Sequence, residues 1–317
     1  CGRTGTPAGG TIDAFPYVTQ ADPACILCAT DRMAARATIL TIKGQRPIAT
    51  PRIVTKRPSK MRYASYVICT SPRSGSTLLC SLLSATGISG NPGSYFHRPS
   101  VSDWLRAHGL ERDATASERK TIAAIFQAVI AKGTDETGVF GLRLQRHSFD
   151  FFMEQLALLH PEAPTDIGRL EAAFGPTLFI HLTRTDKVDQ AVSYEMAEQT
   201  GLWHRAWDGS ELERLAPPQE PVYDADRIRA HVLEMTGFDR AWEAWFKQQS
   251  ITPMRITYQP LSDGPLRVLR DVLDRLGLDA TKAQQASPGV AKLADATSRA
   301  WVQRFRDEQR ADPRTDP

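Results

Sequence analysis

The sequence has no run of about 18 apolar residues, so no segment of its 317 residues reads as a membrane-spanning helix. It also lacks a charged start followed by an apolar core, so a secretory leader is not expected and the cytoplasm is the expected compartment. Charge of one sign is missing too: 39 Lys and Arg stand against 36 Asp and Glu, a formal net charge of +3. That excess sits in residues 1–60, which hold nine basic and three acidic residues; the remainder is slightly acidic. A nucleic-acid partner is therefore not expected. Cysteine is scarce and irregularly spaced, at Cys1, Cys25, Cys28, Cys69 and Cys80. An odd count argues against a disulfide framework. Cys25-Ile-Leu-Cys28 is a lone CxxC with no second pair, so no metal site is expected from it. Cys69 and Cys80 read as core residues.

Residues 1–60 also lack a sustained hydrophobic period. Rich in Gly, Pro, Thr and Ala, they read as a disordered or non-native extension ahead of Met61. A targeting peptide is the competing idea, and Ile39-Leu-Thr-Ile42 is a candidate short strand. The folded domain is expected over residues 61–310, with 311–317 a tail. Within it, apolar runs at Ser65–Thr70, Val139–Leu144, Pro176–Thr183 and Met254–Tyr258 read as buried strands. Between and after them, helical patterns cover Ser102–His108, Ser117–Lys132, Phe149–Leu159, Asp186–Thr200, Ala225–Gln249, Leu261–Leu276 and Ser298–Gln309. Alternation of strands and helices predicts an α/β fold with a mostly parallel central sheet. Ligands of such sheets sit beyond the carboxyl ends of the strands.

The most informative stretch is Ser71-Pro-Arg-Ser-Gly-Ser-Thr77, between the first strand and an apolar helix ending near Gly87. Unpaired N–H groups at such a helix start form a ready site for a phosphate or sulfate group. A GxxxxGK[ST] loop laid on it would need glycine at Thr70 and lysine at Ser76; only Gly75 and Thr77 fit. Without the lysine a magnesium–triphosphate site is poorly supported. Arg73 offers a fork for one compact anion such as a 5′-phosphosulfate. A P-loop kinase-like phosphotransferase and a non-catalytic nucleotide-binding protein are the rival readings. Arg184, at the end of the third strand, and Ser193, on the next helix, suit a second phosphate. The plain alternative pairs Arg184 with Asp186 or Asp189.

Two anion sites on one sheet suit 3′-phosphoadenosine 5′-phosphosulfate (PAPS). Pro72-Arg-Ser-Gly-Ser-Thr-Leu-Leu79, Asn91-Pro-Gly-Ser-Tyr-Phe96 and Val139-Phe-Gly-Leu-Arg143 together resemble the bacterial carbohydrate sulfotransferases, of the trehalose 2-sulfotransferase, Nod-factor and LPS sulfotransferase type. Arg184–Ser193, Gln199–His204, Trp242–Phe246 and Trp301–Arg306 extend the resemblance to residues 63–309. It implies a P-loop NTPase-like three-layer fold, PAPS as co-substrate without a metal, and a carbohydrate or glycolipid acceptor; a homodimer stays open. It also implies that Arg73, Ser74, Gly75, Ser76 and Thr77 grip the phosphosulfate and that Arg184 and Ser193 hold the 3′-phosphate. Arg73 and Arg143 would neutralise charge on the leaving phosphate. Trp301–Arg304 would close over the nucleotide, and Tyr95, Phe96, Gln199 and Trp203 would line the acceptor side. The family's loop glutamate, thought to act as the base, is absent; Gly93 and Ser94 stand there. His97 in the same loop is then the expected base, with Asp103 and His204 next in line.

Overall fold

The structure, a computed structural model, describes residues 62–311 apart from 288, 292 and 294. The candidate strand at residues 39–42, the Cys25–Cys28 pair and the tail at 312–317 lie outside the described residues. Burial on both faces dictates the centre of the fold. Ser65–Thr70 (β1), Phe140–Gln145 (β2) and Thr177–Thr183 (β3) are almost wholly buried, as their apolar sequences require. A hairpin of Leu202–Arg205 (β4) and Glu211–Arg214 (β5) follows, and Met254–Thr257 (β6) completes the main sheet. That sheet runs β2-β1-β3-β6 with every pairing parallel. Thr70 aligns with Gln145 and Leu182, so the carboxyl ends of the central strands finish at one level.

Ten helices wrap this sheet among the described residues. They are Ser76–Ala85 (α1), Val101–Ala107 (α2), Glu118–Gly133 (α3), Arg146–Leu159 (α4), Asp166–Phe174 (α5), Lys187–Thr200 (α6), Ala225–Gln248 (α7), Tyr258–Asp263 (α8), Pro265–Leu276 (α9) and Ala296–Ala311 (α10). Side chains of β1 alternate between two cores. Val67 and Cys69 join an aromatic cluster with Trp104, Phe126, Phe149, Phe152, Trp242 and Phe246 from α2, α3, α4 and α7. Tyr66 and Ile68 meet Leu79, Leu83, Leu261, Leu269 and Leu273 from α1, α8 and α9. Helix, sheet and helix thus form three layers. Each fully buried large side chain contributes roughly 1.5–3 kcal/mol. Among the described residues no helix is long and apolar enough to cross a membrane.

Three differences from the sequence reading have local causes. The helix expected over 261–276 is two helices, because Gly264 has an extended backbone ahead of Pro265, which starts α9. Helix α5 is short, capped by Thr165, whose hydroxyl accepts from Gly168 N, and carries only two fully buried residues, Leu170 and Phe174. The β4–β5 hairpin follows Gly201, whose φ of 69° ends α6. A Cβ there would fall 2.5 Å from Ala216 O, so the close return of the chain also requires glycine.

Helices α6, α7 and α10 share a smaller core of Val192, Ile228, Trp301 and Phe305. Beside it, α6 and α7 are clasped by a buried ionic cluster. The Glu195 carboxylate accepts from His231 Nε2 at 2.9 Å, Arg227 Nε at 2.9 Å and Gln199 Nε2. Burial alone would lower the His231 pKa, but bonding to Glu195, Glu198 and Glu234 outweighs it and lifts the value to about 11. Burial opposes ionisation of Glu195, yet His231, Gln199 and Arg227 hold its pKa down to about 2. Glu195, Glu198 and His231 are close enough together to hold a metal ion, but Arg227 already supplies a cation and His231 carries a proton. The stability contributed by charged His231 should be complete below its ordinary pKa of 6.5 and decline as pH rises toward 11. That of Glu195 should be complete above 4.5 and decline as pH falls toward 2. Urea titrations across pH should show both limbs, and His231→Gln should flatten the alkaline one.

Candidate active site

Strand β1 delivers the loop Ser71–Thr77 directly to the start of α1. Arg73 and Gly75 both take the left-handed conformation, with φ of 59° and 89°. Gly75 is the N-cap of α1 and offers no side chain to the first-turn amides. Those amides and the helix dipole therefore stay available to an anion. The underside of the loop is held firmly. Thr70 Oγ1 donates to Leu182 O at 2.8 Å and lies 2.5 Å from Ser74 Oγ, while Trp242 Nε1 donates to Thr70 O at 2.9 Å. Gln190 Nε2 donates to both Ser71 Oγ and Pro72 O, and Lys187 pairs with Asp239 beside them. Sequence alone does not mark these supports, since Gln190 and Asp239 lie on helices far along the chain.

Three arginines converge on this loop. Arg73 Nε donates to Ser193 Oγ at 3.0 Å and Nη1 to Trp203 O at 2.6 Å. Arg143, on β2, reaches Ser94 Oγ through Nε at 2.6 Å and Thr77 Oγ1 through Nη1 at 2.8 Å. Arg184, just after β3, pairs with Asp189 at 2.8 Å and lies 4.3 Å from the centre of the Tyr258 ring. Its Nε is buried and has no hydrogen-bond partner. Burial and the charge of Arg184 draw the Arg73 pKa down to about 10, so Arg73 remains a cation at neutral pH. Arg73, Arg184, Ser193 and residues 74–77 are thus brought together as expected, except that Ser193 receives Arg73 and Arg184 takes Asp189. Asp186, the other partner considered, pairs instead with Arg306 of α10.

The acceptor-side expectations divide. Phe96 is a correction: it is 1% exposed and packed against Trp104, Phe126 and Phe152, so it belongs to the core and cannot face a ligand. Gln199 is drawn into the α6–α7 clasp and also donates to Val222 O. Tyr95 is half-buried and gives its hydroxyl to Asn91 O. Trp203 is half-buried, edge-on to Tyr194. The Trp301 end of α10 is buried against Tyr223, while Arg304 lies on the outer face of that ring. Gly93 pairs with Leu142 and accepts from Arg143 N, which puts Ser94 beside Arg143.

His97 stands edge-on to His147, with ring centres 4.8 Å apart and one face open to solvent. Surrounding protein and the neighbours His147 and Arg143 lower its pKa to about 4. Among the described residues no hydrogen bond joins its ring to Thr77, and the ring packs against His147 of α4. His204 does make that contact, with Nε2 3.2 Å from Thr77 Oγ1 and 3.4 Å from Glu213 Oε2. Glu213 is a site residue that the sequence reading misses. The available signal is Asp208-Gly209, a hairpin turn between two short segments.

A parallel α/β sheet with an anion loop after its first strand, and arginines at the neighbouring strand ends, is the layout of a P-loop-like group transferase. The family is more specific: residues 65–308 match the model of the Stf0 sulphotransferases, and the chain belongs to that family. It is therefore a sulfotransferase. It is similar to the trehalose 2-sulfotransferase of Mycobacterium tuberculosis, 28% identical over 265 residues, covering 77% of this chain and 94% of that protein. The trehalose 2-sulfotransferase of Mycolicibacterium smegmatis is 27% identical over 268 residues, covering 78% and 96%. Among solved structures, the sulfotransferase domain of the Synechococcus PCC 7002 olefin synthase matches with 15% identity and a TM-score of 0.38, over 80% of this chain and 89% of that one.

Gly75 links the loop to the surroundings of Arg184. A Cβ on it would fall 2.7 Å from the Tyr258 ring, on which Arg184 rests. Gly75→Ala should lower unfolding free energy by about 1–3 kcal/mol, through left-handed strain and this clash. Nucleotide binding should weaken in the same variant, read by urea unfolding and calorimetry.

Proposed function

We propose that the protein moves a sulfuryl group from PAPS to a hydroxyl of a carbohydrate or glycolipid. The observation that carries this reading is the meeting of Arg73, Arg143 and Arg184 around an uncapped helix start whose lysine position is Ser76. The relatives' name, trehalose 2-sulfotransferase, supports a sugar as acceptor. Arg73, Thr77 and the amides of α1 would hold the phosphosulfate. Arg184 is suited to the 3′-phosphate because its buried Nε lacks a partner. Transfer is in line: the acceptor oxygen bonds to sulfur while the bridging S–O bond to the 5′-phosphate breaks. Positioning and charge stabilisation dominate, as in phosphoryl transfer. Arg143, bonded to Thr77 Oγ1, would offset charge as it builds on the departing phosphate. Tyr95 and Trp203 supply ring faces at the rim for a sugar. The two described cysteines, Cys69 and Cys80, are buried free thiols, which suits a cytoplasmic setting.

The test uses PAP, the desulfated donor. PAP should raise the melting temperature and ATP with magnesium should not; a larger rise with ATP would favour a kinase. Labelled PAPS with a glycan panel headed by trehalose should yield a labelled sugar. PAP binding without transfer to any sugar would mark a non-catalytic nucleotide binder. Arg184→Ala should weaken PAP by about 2 kcal/mol, roughly 30-fold, while barely affecting adenosine 5′-phosphosulfate, which lacks the 3′-phosphate. Equal losses for both ligands would remove Arg184 from that role.

A further inference from the structure

We propose that His204, oriented by Glu213, is the catalytic base that takes the acceptor proton; this rests on the sulfuryl-transfer reading above. His204 and Glu213 face each other across the β4–β5 hairpin as paired residues. His204 Nε2 is 3.2 Å from Thr77 Oγ1, in the first turn of α1, and 3.4 Å from the Glu213 carboxylate. Thr77 Oγ1 also accepts from Arg143, whose Nε holds Ser94. One arginine therefore connects the loop position that lacks a glutamate with the hydroxyl that His204 touches. His204 from the hairpin and Arg143 from β2 thus meet at one hydroxyl, that of Thr77. The hairpin is fixed there by a second tie, Arg73 to Trp203 O.

The charged groups around His204 are Arg73 from the loop, Arg143 from β2 and Glu213 from β5. Burial and the two arginines hold the imidazole neutral, with a pKa of about 3 without nucleotide. A bound donor brings negative charge against both arginines and so relieves their pressure on the imidazolium. His204 is thus unprotonated before the reaction and better able to keep a proton once the donor is present. In the step itself, Nε2–H faces Glu213, so the acceptor O–H gives its proton to Nδ1 of the imidazole, and its oxygen forms the new O–S bond. The old S–O bond breaks with its electron pair leaving on the 5′-phosphate of PAP. The imidazolium is stabilised by the Glu213 carboxylate.

Full-length His204→Gln and His204→Ala are to be compared with wild type, using PAPS and whichever panel sugar the wild type sulfates. Turnover should fall about 10²-fold or more. PAP affinity and melting temperature should stay near wild type, and added imidazole should restore part of the His204→Ala turnover. Glu213→Gln should lower kcat about tenfold and move the acid limb of the pH–rate profile to lower pH, because the imidazolium loses its counter-charge. His204→Gln with wild-type turnover would overturn the proposal while leaving sulfuryl transfer intact. Loss of turnover with matching loss of PAP affinity and stability would also overturn it, since His204 would then merely pin the hairpin. So would a His97→Ala variant that alone abolishes turnover. A wild type that sulfates no sugar removes the parent reading and this one together.

Discussion

Three guanidinium groups of like charge crowd one loop, and the arrangement of the domain follows from keeping them there. Arg73 and Arg184 touch, with Arg184 Nη1 3.4 Å from Arg73 O, and their repulsion helps depress the Arg73 pKa. The fold answers with local carboxylates: Asp189 takes Arg184, Asp239 takes the neighbouring Lys187, and Glu213 lies near both Arg73 and Arg143. None of these neutralises the loop completely. Arg73, Arg143, Arg184 and Lys187 outnumber Asp189, Asp239 and Glu213, so this corner of the fold stays net positive.

The same constraint explains why the hairpin matters. Arg73 spends one N–H on the carbonyl of Trp203, so a backbone dipole from β4 supplies part of the missing negative charge. That bond carries His204 to Thr77 and Glu213 to His204. The place of the hairpin is therefore tied to the charge of the loop. A substitution of Arg73 would release Ser193 and the Trp203 carbonyl together, whereas one of Arg184 would release Asp189 and the Arg73 carbonyl.

How much of this is legible in the sequence depends on whether the signal is local. The β1–loop–α1 unit is written in consecutive residues, as apolar strand, small polar loop and apolar helix, and it reads correctly. β1, β2 and β3 are buried on both faces and so announce themselves as apolar runs, whereas β6, at the sheet edge, buries only Ile256. Phe96 misleads because its loop neighbours are polar, while its ring answers to Trp104, Phe126 and Phe152, which only the fold brings near. His97 is favoured by its nearness in sequence to the missing glutamate; orientation toward α4 is a tertiary fact. Glu195 and His231 lie 36 residues apart on two helices, and nothing in either segment marks the pairing. Glu213 is hidden because β5 is four residues long, mostly exposed, and lacks the apolar alternation that marks a half-buried strand.

The tie from Trp242 to Thr70 spans 172 residues, and that from Ser71 to Asp239 spans 168. Translation makes the donor loop first and its supports last. While the chain is still emerging from the ribosome, the loop can have neither Asp239 nor Trp242 beneath it, and Tyr258 comes later still. Arg73 waits 120 residues for Ser193 and 130 for Trp203. Contacts of such separation slow the search for the native state. The feature that makes the finished loop rigid thus makes its assembly a late event.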